Sequence, residues 1–178
     1  MAGEAMLQEH ILFYNNLAYH LHLLKDPTAV EYARQGLALA QEKGILSFLP
    51  YLWSTLGEIA LAQNDLAAAE QHFNEGLSLA QQFSVPERIA GLTANLGLVA
   101  KQRGQRELAI EHLSSALAQA EALNIRFLAT QIRLWLIPLL PPTEAEARAH
   151  LAAARSIAEH DGYERLLSEA IHLEAEIQ

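Results

Sequence analysis

Between residues 52 and 80 the apolar positions change register once. Leu52, Trp53, Leu56, Ile59 and Ala60 keep the three-and-four spacing of one helical face. Asn64-Asp65 breaks that run and predicts a helix start, because a short side-chain oxygen can accept from the free N–H groups of a first turn. Leu66, Ala69, Phe73, Gly76, Leu77 and Ala80 then form the stripe of a second helix. So few residues separate the two that they must lie antiparallel and adjacent.

The unit recurs along the chain. "GLALAQ" at 36–41 returns as "GLSLAQ" at 76–81, and Leu56-Gly57 returns as Leu96-Gly97, each 40 residues on. Ala69, His72, Phe73 and Gly76 map onto Ala109, His112, Leu113 and Ala116. A fourth copy has lost two residues: His112-Leu113 becomes His150-Leu151, and Ala109 becomes Ala147. The first is one residue short, since Asn16-Leu17-Ala18 lies 79 before Asn95-Leu96-Gly97. The helix ends repeat too, at Gly44-Ile45, Ser84-Val85, Asn124-Ile125 and Gly162-Tyr163. Gly or Asn accepts the left-handed conformation that closes a helix, and the apolar residue after it packs back on the last turn. Ser84 has two readings, since Ser84-x-x-Glu87 also has capping-box spacing. Thr143-x-x-Glu146 is a second such box, and Asp26-Pro27 sets a cap before a first-turn proline.

The pattern predicts nine helices: pairs over about 6–44, 45–84, 85–124 and 125–162, and a capping helix over 163–177. All lie in one domain, 1–178. The last helix has an apolar stripe at Leu166, Leu167, Ala170, Ile171 and Leu173, and would cover the open end of the fourth pair. Pro138 falls inside "RFLATQIRLWLIPLLPP" and should kink or end that helix. Trp135, Ile137, Leu139 and Leu140 make the fourth pair unusually apolar. It reads either as a modified terminal repeat or as a contact surface for another domain or a second copy.

Composition narrows the class. The chain has 178 residues, 51% of them apolar, enough for a sizeable core. It carries no apolar run of the roughly 18 residues that span a bilayer, and its N-terminus lacks a signal-peptide pattern. There is no Cys, so neither disulfides nor thiolate chemistry can matter. A cytoplasmic location is the expectation. The net charge of −9, with basic residues scattered, disfavours nucleic-acid binding.

Trp53-x-x-Leu56-Gly57-x-x-Ala60, followed by Ala69-x-x-x-Phe73, resembles the tetratricopeptide (TPR) pattern W-x-x-L-G-x-x-Y then A-x-x-x-F. Ala60 departs from the usual Tyr. The third copy keeps Leu96, Gly97, Ala100, Gly104 and Ala109, whereas Ala18 and Ile137 replace the Gly in the first and fourth. The period of 40 is similar to the longer TPR variant of kinesin light chains and of large bacterial ATP-binding transcription regulators. The resemblance implies an all-α fold, a right-handed α-solenoid of antiparallel helix pairs. Trp53, Leu56, Gly57, Ala69, Phe73, Gly76, Leu96, Gly97 and Ala109 would be its structural residues. Mid-helix glycines at 36, 57, 76 and 97 each cost about 0.5–1 kcal/mol against Ala, tolerable where they let two helices approach.

The chemistry of an enzyme is missing. His72, His112 and His150 are periodic, but equivalent positions in stacked repeats lie about 10 Å apart, beyond a shared metal. No H-E-x-x-H, Walker loop or G-x-G-x-x-G occurs. Neither metal nor cofactor is expected. In TPR proteins the first helix of each pair generally lines the concave face. By position the resemblance places there Asn15, Asn16, Tyr19 and His22; Tyr51, Ser54, Thr55 and Glu58; Asn95, Leu98, Lys101 and Gln102; and Gln131 and Trp135. Amides can bond an extended backbone and rings give rigid contact area, so a peptide lining is one reading and an ordinary polar face the other. Chaperone-binding TPRs hold a carboxylate with Lys, Asn and Arg; here only Asn95 matches, and Glu58 would repel the ligand.

The expected function is therefore a non-catalytic TPR module that binds a protein or peptide, with no nucleic-acid or membrane contact. It would be part of a larger bacterial signalling or transcription regulator. Two alternatives stand beside it: a small-molecule effector-sensing domain, and a homo-oligomeric scaffold joined through the fourth repeat and the last helix.

Overall fold

A computed structural model of the chain describes residues 2–141 and 145–177. The described residues form nine α-helices and two short 3-10 turns. They fall into two compact units, 1–88 and 89–178. The first holds α1 (Ala2–Leu23), α2 (Ala29–Glu42), α3 (Leu49–Ala62) and α4 (Leu66–Gln82), and the first turn of α5 (Pro86–Gln102). The second holds the rest of α5, α6 (Arg106–Ala122), α7 (Arg126–Leu136), α8 (Ala145–Asp161) and α9 (Glu164–Ile177).

What pairs the helices is a turn made seven times over. Lys25, Gly44, Asn64, Ser84, Gly104, Asn124 and Gly162 all take positive φ, between 55° and 73°. The residue after each donates its N–H to a carbonyl five positions back: Asp26 to Leu21, Ile45 to Ala40, Asp65 to Ala60, Val85 to Ala80, Gln105 to Ala100, Ile125 to Ala120 and Tyr163 to Ala158, all at 2.8–2.9 Å. This closure satisfies carbonyls that a helix end leaves without partners. Ser84 thus closes α4, and α5 begins two residues later at Pro86. Asp65 caps α4, its carboxylate accepting from the Ala68 N–H at 3.1 Å. Asp26 accepts from both the N–H and the hydroxyl of Thr28, at 2.8 and 2.6 Å, just ahead of α2. The capping box read at Thr143 lies outside the described residues.

Pro138 ends α7, as its missing N–H requires. The chain leaves the helix at Leu136 and continues as a 3-10 turn over Ile137–Leu139, whose last carbonyl accepts from Arg106 Nε at 2.6 Å. Leu134, Leu136, Ile137 and Leu139 are all under 10% exposed. The apolar run of the fourth pair is therefore spent inside the second unit, against α6, α8 and α9.

The unit cores are built from small residues facing large ones. In the first, Phe73 is fully buried over Gly57: a Cβ at Gly57 would lie 2.3 Å from the Phe73 ring. A Cβ at Gly36 would meet Leu52 at 2.8 Å and Tyr14 at 2.9 Å. In the second, a Cβ at Gly97 would meet Leu113 at 2.8 Å. Gly91, also mid-helix, has nothing within 4 Å. The two kinds of glycine should respond oppositely to Ala. Gly57→Ala should destabilise by about 1–3 kcal/mol through overpacking, while Gly91→Ala should stabilise by up to about 1 kcal/mol through helix propensity. Chemical denaturation of the two variants checks this; a stabilised Gly57→Ala would refute the close-approach account.

Candidate functional site

In the first unit the residues expected to line a concave face come from α1 and α3. Ten of the fourteen residues of α3 are buried. Of the other four, Trp53 is half-buried and stacks on His72, while Tyr51, Glu58 and Ala62 form an open strip, at steps of seven and four that put all three on one line of the helix. Ser54 and Thr55 sit beside that strip but are only 5% and 4% exposed. Ser54 Oγ donates to Glu58 Oε1 at 3.1 Å, and Thr55 Oγ1 donates to Asn15 Oδ1 at 3.0 Å. Their hydroxyls set the positions of Glu58 and Asn15 and have no surface to offer a ligand. Packing between neighbouring helices leaves them little accessible surface, which a position in a repeat does not record. Asn16 and Tyr19 of α1 are exposed, and Asn15 and His22 half-buried. Tyr19 meets the His20 ring edge-on, the centroids 5.9 Å apart.

Tyr51 is held from two sides. Its hydroxyl donates to Glu87 Oε1 at 3.3 Å, and the Arg88 guanidinium lies 4.8 Å over its ring. Burial and the Glu87 carboxylate push the phenol pKa up, so the hydroxyl remains a donor. From the sequence Glu87 was marked only by its capping-box spacing from Ser84, and Arg88 not at all, since both precede the helix positions that the repeat marks.

In the second unit Asn95 is 9% exposed, an interior amide that is buried as Ser54 and Thr55 are. Leu98, Lys101, Gln131 and Trp135 are half-buried, and Gln102 is exposed. Trp135 packs against the core formed by α5, α6 and α7. Burial lowers the Lys101 ammonium pKa, and Glu169 of α9 opposes that shift. The open line of α5 is Gly91, Leu98 and Gln102, the same steps of seven and four as in α3. Gly91 is the missed member, a stretch of bare backbone at the position 40 after Tyr51.

The periodic histidines have structural surroundings. His72 stacks on Trp53, centroids 5.2 Å apart, and its Nδ1 has no hydrogen-bond partner among the described residues. His150 takes the same slot against Arg133, with Nδ1 3.0 Å from a guanidinium nitrogen. Burial lowers both pKa values, helped by the nearby charge of Arg34 for His72 and of Arg133 for His150. Among the described residues no group of three His, Asp or Glu could hold a metal. No described helix is long and apolar enough to cross a membrane.

A separate cleft of about 450 Å³ opens in the first unit, where Leu7 and Gln8 of α1 face Lys43, Ile45 and Ser47 of the turn after α2. None of the residues expected from the sequence lines it.

No protein-family model matches the chain, and no curated protein matches it. A solved structure does: the crystal structure of aspartyl phosphate phosphatase F from Bacillus subtilis, with a TM-score of 0.74 and 23% identity over 94% of this chain. The fold is a TPR-like helical repeat. It is of the all-α solenoid class read from the sequence. The chain spans 45% of the length of that protein, and at this identity the likeness concerns the fold alone.

The two half-buried histidines, His72 and His150, give a pH prediction. Their folded pKa values lie below the unfolded value of about 6.5, so the unfolded chain binds more protons and stability rises with pH through that window. The melting temperature should fall as pH drops from 7 to 5, and a His72→Gln/His150→Gln double variant should show a flatter profile. An unchanged slope in the double variant would place the titrating groups elsewhere.

Proposed function

We propose that this chain is a non-catalytic module that binds an extended peptide segment of a partner protein, the candidate strips being those of α1 and α3 in the first unit and, separately, those of α5 and α7 in the second. What supports this is the contrast within α3 and α5. Ten of the fourteen residues of α3 and nine of the seventeen of α5 are buried, and each helix keeps an accessible line at the same steps: Tyr51 and Glu58 in α3, Gly91, Leu98 and Gln102 in α5. An aromatic ring anchored by a cation, amides and a stretch of bare backbone suit a ligand with its own backbone to pair. Asn16, Tyr19, Lys101, Gln131 and Trp135 extend the same reading. The 40-residue period supports membership of the longer TPR variant and, by resemblance, a place in a larger bacterial signalling or transcription regulator in the cytoplasm. The name of the structural neighbour concerns that protein's chemistry, and the reading for this chain stays non-catalytic.

Selection of a displayed random-peptide library on the immobilised protein tests the proposal. Selected peptides should lose at least tenfold in affinity for a Tyr19→Ala/Tyr51→Ala variant by fluorescence anisotropy, while its melting temperature changes little. Peptides that bind the variant equally well would remove the groove from these strips.

A second reading, effector sensing, is favoured by the cleft beside Ser47, whose volume of about 450 Å³ falls in the range of small-molecule sites. A metabolite that raises the melting temperature by mass action should lose that effect in Ser47→Trp, which fills the cleft. Retention of the shift would assign the effector to another place.

A further inference from the structure

One position of the repeat departs from its own rule in the first unit. Phe48, Leu128 and Leu166 stand 40 before, 40 after and 78 after Arg88. Each of these three packs into an apolar core, and Leu166 is fully buried. Arg88 puts a charge where the pattern otherwise puts an apolar side chain. A local rule broken in this way marks a place where something other than packing decides the residue. Three arginines are half-buried among the described residues: Arg88, Arg133 and Arg155. Arg133 pairs with Glu121, and Arg155 pairs with Glu159 and Glu174 at 2.9 and 2.7 Å. Arg88 has no such pair. Among the described residues its guanidinium makes neither a hydrogen bond nor an ion pair, and its Nε is buried without a partner. What holds it is the Tyr51 ring, whose centroid lies 4.8 Å from the guanidinium carbon. Glu87 is its chain neighbour, but adjacent residues of a helix do not face each other, and Glu87 accepts from the Tyr51 hydroxyl at 3.3 Å. A half-buried charge without a counter-charge is unfavourable in the free protein, and a bound carboxylate would relieve it.

We propose that Arg88 receives an Asp or Glu side chain of the bound peptide, and that Glu58 receives a Lys or Arg side chain about three residues from it. This rests on the peptide reading above and names the partner's chemistry. Glu58 lies on the same line of α3 as Tyr51, seven residues on, hence about 10 Å along the axis at 1.5 Å per residue. An extended segment rises about 3.3 Å per residue, so three residues cover that span. Ser54 fixes Glu58 with a hydrogen bond at 3.1 Å, and a carboxylate has about four acceptor sites, which leaves room for a cationic donor from the ligand. The mixed charge of the strip decides between ligand types. A wholly acidic segment would meet Glu58 and Glu87, and a wholly basic one would meet Arg88. A segment bearing one charge of each sign in register satisfies both ends. The planar guanidinium can grip a carboxylate with two parallel N–H donors, and its stack on Tyr51 holds it in place before the ligand arrives.

Peptides selected from a displayed random library on the immobilised protein should carry Asp or Glu about three positions from Lys or Arg. For such a peptide, Arg88→Glu should weaken binding at least tenfold by fluorescence anisotropy, and exchanging the acidic residue of the peptide for Lys should restore most of the loss. Glu58→Lys should behave in the same way toward the basic residue of the peptide. Arg88→Gln, which removes the charge and keeps a planar side chain over Tyr51, should weaken binding at least fivefold at an unchanged melting temperature. A role confined to holding Tyr51 would not respond to a change in the peptide, so the swap separates the two. Selected peptides without the charge pair, binding indifferent to Arg88→Gln, or a loss that the exchanged peptide fails to restore overturns the inference and leaves the peptide reading in place. A library that yields no binder overturns both.

Discussion

The left-handed residue at the end of a helix governs this molecule. Seven of its inter-helix turns reverse the chain in the same way, and each does so by giving an otherwise unpaired carbonyl an N–H from five residues on. The donating residue then decides what comes next. After a first helix it is Asp26, Asp65 or Gln105, polar residues at the start of the next helix, and Asp65 caps it directly. After a second helix it is Ile45, Val85, Ile125 or Tyr163, all apolar, and Ile45, Ile125 and Tyr163 pack back into a core. One backbone device thus yields two kinds of turn, within a pair and between pairs, by changing a single side chain.

Such reversals bring helices together; small residues decide how closely. Gly57 under Phe73 and Gly97 under Leu113 are the same contact 40 residues apart, with Phe exchanged for Leu. This is why the fold could be read from the chain. Turn residues and helix-face glycines are local or pairwise requirements, and both repeat at an offset visible in the letters. Lys25 was not legible, because Lys has no preference for positive φ; tertiary pairing of α1 with α2 imposes it. The choice between the two readings of Ser84 was equally hidden, since its side chain suits either, and the backbone bond from Val85 to Ala80 decides it.

The candidate site was less legible for a related reason. Repeat position tells which helix a residue is on and which way it points, but exposure depends on how many neighbours crowd that direction. Ser54 and Thr55 are adjacent to Tyr51 and Glu58 on the helix surface, yet the former are interior and the latter accessible. A serine or threonine can bond to a neighbouring side chain and vanish into a core, so its polarity says little about solvent. The steps of seven and four along α3 and α5 mark the open line better than residue chemistry does, and they also recover Gly91.

The outward stripes of α1 and α9 are built from different residues. At α9 the outer surface is polar: Arg165 and His172 reach Glu169 and Glu176 at 3.9 and 3.3 Å, and Ser168 bonds to the Glu164 carbonyl. Ile171 is its one large exposed apolar side chain among the described residues. The outer stripe of α1 instead keeps Met6, Phe13, Leu17 and Leu24, all apolar. Each exposed apolar side chain there contributes nothing to the core beneath it, whereas the charged residues of α9 pair along their own helix at i and i+4.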